Sequence, residues 1–421
     1  MRADSHGLLS EDGSKATLVV LGTGFAAFSL IKEIDVDAYE VTVVSPRNHF
    51  LFTPLLPSTT VGTIEFRSII EPIRTARERI QFYQAWCTDI DIQKRTIQCQ
   101  HALDKTMFIL PYDILVIAVG ATNNTYGIPG VEQNALFLKE LADARAIRQR
   151  IIECFERASI PELSEERRKR LLHFLIVGGG PTGIEFAAEM HDFLVEDLRE
   201  IFPSLIDDVR ITILEAAEHI LSTFDATLSA YTIKHFERQK IEVLTKSGVV
   251  KVDAEQVFLQ DGSTVPYGLL IWSTGIGSTL LVQSLAVLKD KHARIVVDQY
   301  LRIQGFTNLY ALGDCATFHD RMLPATAQVA QQEGRYVARA LNRLAKGKQL
   351  EPFRYKDWGM LAYIGSHRAL ADLAAVKGRG FATWLFWRSV YLTRLVSFKN
   401  KILVVLDWMK TLIFGRDISR F

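Results

Sequence analysis

Ala16-Thr-Leu-Val-Val-Leu-Gly-Thr-Gly-Phe-Ala-Ala27 decides the fold. Six residues of an apolar, β-branched run end in a glycine turn, the pattern of a strand buried on both faces of a parallel sheet. An amphipathic stretch to about Ile34 follows, then Val41-Thr-Val-Val44 as the next strand, completing a βαβ unit. The same order returns in His173-Phe-Leu-Ile-Val177, the turn Gly178-Gly-Gly-Pro-Thr-Gly183, a helix from Ile184 to about Ile201, and the strand Val209–Glu215. Between the two units, residues 139–170 read as a charged helical hairpin on the surface. Apolar strands run into Gly120 and Gly275, and a third, Asn308–Asp314, ends on a carboxylate. The fold class is therefore α/β, with two Rossmann-like units.

A glycine turn between strand and helix holds a pyrophosphate for physical reasons. The first glycine allows the tight turn, the second admits phosphate to the backbone, and the third position must be small for helix to pack on strand. The helix N-terminus adds N–H groups and positive dipole. Gly22, Gly24 and Ala27 fit this pattern, as do Gly178, Gly180 and Gly183 with Pro181 and Thr182 between them. Glu215 closes the second unit's strand, placed to accept from a ribose 2′-hydroxyl and repel a 2′-phosphate, which favours NADH over NADPH. The equivalent strand of the first unit ends Ser45-Pro-Arg47. With no carboxylate there, Arg47 is expected to help hold phosphate or adenine.

Composition bounds the rest. The 421 residues carry 49 Lys+Arg and 48 Asp+Glu, net +1, with 48% hydrophobic and 23% charged residues, a chain of two or three globular domains. Such a balance argues against a nucleic-acid binder. Residues 377–421, however, hold nine Lys/Arg against two Asp/Glu, a local +7 that leaves −6 on the remainder. Two amphipathic helices are expected there, 381–396 and 401–414. In the second, Asn400, Asp407 and Thr411 share one face, and Ile402, Val405, Leu406, Met409, Leu412 and Ile413 the opposite one. Trp384, Trp387 and Trp408 stand among the apolar residues, edged by Arg388, Arg394, Lys399, Lys401, Lys410 and Arg416. This composition suits helices lying on a membrane surface, so a lipid partner is expected through residues 381–421. Residues 1–15 are polar and lack the apolar core of a signal peptide, and no window is long enough to span a bilayer. Cys87, Cys99, Cys154 and Cys315 are scattered without a CxxC or CxxxxC pair, so neither a disulfide framework nor a thiolate metal site is expected.

The longer segments carry a more specific resemblance. Asn48–Pro57, Ile69–Ile73, Gly180-Pro-Thr-Gly-Ile-Glu185, Ala325–Glu333, Trp384–Arg388 and Leu406-Asp-Trp408 resemble the type II NADH:quinone oxidoreductases, single-subunit non-pumping dehydrogenases of the two-dinucleotide flavoprotein superfamily. The likeness runs from about residue 17 to 421. It implies an FAD-binding domain from 17–125 and 298–350, an NADH-binding domain from 126–297, a membrane-anchoring region from 351–421, and a polar segment over 1–16. It also implies that Thr53, Pro54 and Leu55 line the flavin and that Gly120, Asp314, Ala327 and Gln328 contact FAD. Gly275 would lie near NADH, and Glu185 beside the nicotinamide. Gln328, Gln331 and Gln332 would line the quinone site, although at spacings of three and four they also read as a solvated helix stripe. Hydride would pass from NADH to FAD and two electrons to a quinone, with no metal required. A homodimer is expected, peripheral to a bacterial plasma membrane on its cytoplasmic face or to the mitochondrial inner membrane. A ferredoxin-type NAD(P)H reductase and an apoptosis-inducing-factor-like flavoprotein are the alternatives of the same fold.

Overall fold

A computed structural model describes residues 15–419, so nearly all of the polar segment expected over 1–16 lies outside the described residues. The chain divides into two compact units. One comprises the chain through Leu51, Glu71–Thr122 and Ile276–Lys356, and the other Phe52–Ile70, Asn123–Gly275 and Asp357–Phe421.

The first unit is built on a seven-stranded sheet. Leu309–Ala311, Ile114–Ile117, Ala16–Leu21, Tyr39–Ser45 and the start of Ile80–Asp91 run parallel in that order, and Thr96–His101 and Met107–Pro111 extend it antiparallel. Ala16–Leu21 is central and almost wholly buried, which is why its sequence shows no polar alternation. Helix Ala327–Leu344 packs against helix Phe25–Glu33 so closely that a Cβ on Gly334 would stand 2.0 Å from the Ala26 carbonyl oxygen.

In the second unit, Leu136–Phe137, Leu269–Trp272, His173–Val177, Arg210–Leu214 and Ile241–Leu244 form a parallel sheet in that order. The helix after its glycine turn begins at Pro181, earlier than the periodicity suggests, because proline at the first helical position needs no hydrogen-bond partner. It ends at Phe193, where a π-turn, Leu194–Leu198, replaces the α-geometry expected to continue towards Ile201. The hairpin read as a surface feature is only half so. Helix Leu141–Ala158 buries Ala144, Ile147, Ile151 and Phe155 along one face, the i, i+3, i+4 spacing of a core-facing stripe hidden among charges.

The chain closes with the antiparallel strands Met360–Gly365, Arg368–Asp372 and Lys377–Gly380, then helices Phe381–Arg394 and Phe398–Phe414. The last helix is amphipathic in reverse. Asn400 is buried and donates from Nδ2 to the Ile70 carbonyl at 2.9 Å. Asp407 accepts from the Ser68 hydroxyl at 2.5 Å and the Glu65 amide at 3.1 Å, and Thr411 donates to the Thr63 carbonyl at 3.2 Å. Its apolar face points to solvent: Phe398 is 77% exposed, Leu412 82% and Phe414 81%.

Two expectations for this tail need correction. Trp384 and Trp387 turn inward, Trp384 edge-on to His367 and Trp387 tilted against Tyr363, because large rings gain more from packing on the sheet than from the surface. The basic fringe is also largely committed. Arg388 lies between Trp384 and Trp408, Arg394 over Trp358, Lys410 against Glu65, and Arg416 bridges Glu196 and Asp197. No helix among the described residues is long and apolar enough to cross a membrane.

Candidate active site

Both glycine turns have the geometry that a pyrophosphate requires. Gly22 and Gly178 adopt φ of 105° and 113°, open to glycine and strained for other residues. Gly24 and Gly180 have no heavy atom within 4 Å of where a Cβ would stand, so the space before each backbone is free for phosphate oxygens. The helices beginning there have no side-chain cap, which leaves their first N–H groups for an anion. The third positions differ. A Cβ on Gly183 would approach the Gly178 carbonyl to 2.1 Å, whereas the first turn accommodates Ala27, fully buried.

The strand ends differ as well. Glu215 is fixed beside its turn, Oε2 accepting from the Gly179 amide and Oε1 from Ala217, each at 2.7 Å. That fixes the carboxylate at the end of its strand, beside the glycine turn. In the first unit Thr23 bonds Ser45 and the Arg47 carbonyl, and Arg47 Nε donates to the His49 carbonyl. The first unit's strand end therefore carries a cation where the second carries a carboxylate.

Elsewhere in the first unit Gly120 has φ of 66° and open space at its Cβ position. Gly313, φ 70°, donates its amide to Glu333 Oε2 at 2.6 Å and presents Asp314 next in the chain. Glu333 is buried, and loss of solvation pushes its pKa up to about 8, helped by the nearby Asp314 charge. Nothing in the local pattern signals this burial, since Glu333 reads as the end of a polar stretch. Ala327, Gln328, Gln331 and Gln332 line one half-buried face of their helix. Both ends of the Gln332 amide are engaged by the backbone of Lys356, at 2.9 and 3.0 Å, a reciprocal pair that secures the 353–356 segment.

In the second unit Thr53, Pro54 and Leu55 form a short 3₁₀ turn, and Gly275, φ 74°, lies against the Tyr126 ring. Glu185 projects from the helix that begins at the glycine turn, fully buried, with Oε1 accepting from the Tyr363 amide at 3.1 Å. Burial raises its pKa to about 8, and the Tyr391 hydroxyl, buried beside it, is pushed far above its usual range. The Trp387 indole N–H lies close enough to favour both ionised forms, yet makes no well-formed hydrogen bond.

Register brings Cys87 opposite Cys99 on neighbouring strands, a pairing that their separation in sequence conceals. Both thiols are free and held protonated by burial, Cys99 up to about 12. Among the described residues no cluster of His, Cys, Asp or Glu could hold a metal ion.

Two open cradles, each at the end of a central parallel strand, define a flavoprotein that binds two dinucleotides, FAD and NADH. Bound FAD supplies the hydride-accepting and electron-transferring chemistry. Residues 16–334 match the pyridine nucleotide-disulphide oxidoreductase family and residues 358–417 the NDH2 C-terminal domain. A probable NADH dehydrogenase of Dictyostelium discoideum is 48% identical over 96% of this chain and 91% of its own length. An external alternative NADH-ubiquinone oxidoreductase, mitochondrial, of Yarrowia lipolytica is 41% identical over 98% of this chain and 82% of its own. The solved structure of NDH2 from Plasmodium falciparum with NADH superposes with a TM-score of 0.91 at 29% identity, covering 96% of this chain and all of that one. The chain belongs to the pyridine nucleotide-disulphide oxidoreductase family and, within it, to the NDH2 type of NADH dehydrogenase.

Proposed function

We propose that this protein is a membrane-peripheral NADH:quinone oxidoreductase that carries hydride from NADH to FAD and two electrons onward to a quinone without pumping protons. The Gly178 turn and Glu215 hold NADH. The Gly22 turn, Arg47, Gly120 and Asp314 hold FAD, with Ala327 and Gln328 at its edge. Thr53, Pro54 and Leu55 shape the flavin pocket, Gly275 flanks NADH, Glu185 stands beside the nicotinamide on the hydride-donating face of the flavin, and Gln328 and Gln331 line the quinone site. Gln332 acts there through the segment it clamps.

The observation that carries the peripheral reading is the last helix, whose polar face is hydrogen-bonded inward while its leucines and phenylalanines face out. An acceptor that lives in lipid gives this arrangement a purpose, and a soluble ferredoxin does not. The mitochondrial relatives direct the assignment to the mitochondrial inner membrane, and two copies can share part of the same apolar face.

Anaerobic NADH is expected to bleach the flavin absorption band and added ubiquinone to restore it within one turnover. A band that stays bleached with ubiquinone but recovers with ferredoxin would overturn the acceptor.

A further inference from the structure

Reducing a quinone to a quinol consumes two electrons and two protons, whereas NADH delivers a hydride: two electrons and one proton. One proton per turnover must come from water, and the second unit contains a built route for it.

Helix Pro181–Phe193 carries carboxylates at 185, 189 and 192, spacings of four and three that put them on one face. All three are buried, the reverse of the ordinary fate of acidic helix residues. Glu189 is held by hydroxyls on both oxygens: Ser58 donates to Oε1 at 2.6 Å and Thr63 to Oε2 at 2.7 Å. Asp192 accepts from the Tyr363 hydroxyl, and the Tyr363 amide bonds Glu185. A cavity of about 380 Å³ lies alongside, lined by Glu189, Asp192, Glu196, Trp387 and Arg416. Trp387, 4% exposed, also borders it with an indole N–H that no protein atom accepts, a group that water would satisfy.

We propose that the acidic face of this helix is the proton-entry route for quinone reduction: a proton enters the cavity, passes to Glu189, and moves one turn along the helix to Glu185. The route rests on the placement of Glu185 beside the flavin, which passes its electrons to the quinone. Both carboxyls are held above the ordinary range by burial, Glu185 at about 8, so each takes up a proton more readily than a solvated carboxylate. The groups that set Glu189 are Glu185 and Asp192 on its own helix, Arg388 and Arg416 from the tail, Tyr363 from the neighbouring strand, and the Ser58 and Thr63 hydroxyls. Arg416 favours its ionised form, and its own pairing with Glu196 and Asp197 holds that cation in place. Glu189 is thus a positioning and relay residue that acts through Glu185.

Holoenzyme carrying Glu189→Gln should lose tenfold or more in the ratio of quinone turnover to turnover with ferricyanide, an acceptor that takes no proton. The deficit should grow as pH rises and protons for bypass become scarce, and Glu189→Asp should restore most of the ratio. Independently of turnover, infrared spectra recorded across pH should lose one protonated-carboxyl stretch in Glu189→Gln. A ratio unchanged in Glu189→Gln but depressed in Glu185→Gln overturns the route and leaves the site. A ratio unchanged in Glu185→Gln overturns the site itself. Should Glu189→Gln fail to fold, Ser58→Ala with Thr63→Val tests the same step, and an unchanged ratio and pH profile there counts against it.

Discussion

Two helices of this molecule obey opposite rules. Ala327–Leu344 buries Val329, Val337 and Leu341 and exposes Arg335, Arg339 and Arg343. Phe398–Phe414 buries Asn400 and exposes Phe398, Leu406, Leu412 and Phe414. Both are amphipathic, and periodicity alone treats them alike. The difference teaches that a two-faced helix declares two environments without saying which one is the protein. In the first helix the apolar face makes the core. In the last, hydrogen bonds hold the polar face to the body, and the apolar face is left for another phase.

The sharpest way to break the contrast is to place the same substitution on both helices. Leu341→Glu should cost more than about 4 kcal/mol and unfold its unit, because an unpaired charge is buried. Leu412→Glu should leave thermal unfolding within roughly 1 kcal/mol of the parent. The triple variant Leu406→Glu, Leu412→Glu, Phe414→Glu should nevertheless lower liposome partitioning by roughly a hundredfold or more, since each lost side chain is worth about 1.5–3 kcal/mol on burial. A destabilised Leu412→Glu protein, or a triple variant that floats with liposomes as well as the parent, would show that the exposed face belongs to the fold. A smaller effect tests the polar face. Asn400→Leu leaves the Ile70 carbonyl without its donor and should loosen the tail by about 1–3 kcal/mol, read as faster amide exchange over residues 398–414. Should exchange stay slow, apolar packing rather than hydrogen bonding holds the helix.

The core-facing helix also makes a prediction about pH. Glu333 titrates near 8 when folded and near 4.5 in an ordinary solvated chain. Between those values the folded state binds the extra proton, so its contribution is complete below about pH 4.5 and is lost as pH rises through 8. Glu333→Gln, which keeps an acceptor for the Gly313 amide, should flatten the decline in melting temperature across that range. Least in magnitude, Glu215→Ala should narrow the preference for NADH over NADPH by about tenfold, one charge-assisted contact. An unchanged preference would move discrimination elsewhere.

Much of the architecture was legible because central parallel strands are buried on both sides. His173–Val177 and Ala16–Leu21 announce themselves as unbroken apolar runs, and the glycine turns after them follow from phosphate chemistry. What stayed hidden depends on register and packing. Nothing local marks Glu189 or Glu333 as buried, since acidic residues on a helix ordinarily face water. The reciprocal bond of Gln332 with Lys356 and the apposition of Cys87 with Cys99 exist only once distant segments are aligned. The tail was legible as two-faced, yet its orientation was not, and the ion pairs that absorb Arg416 and Lys410 could not be read from a charge count.

The polar seam beneath the last helix also has a thermal signature. Hydrophobic association weakens on cooling and carries a large heat-capacity change, whereas exchanging water for hydrogen bonds at Asn400, Asp407 and Thr411 carries little or one of opposite sign. On the proposed lipid contact, cooling should therefore slacken that contact while leaving the helix seated on the protein, so that chilled extraction would release an intact enzyme with its tail in place.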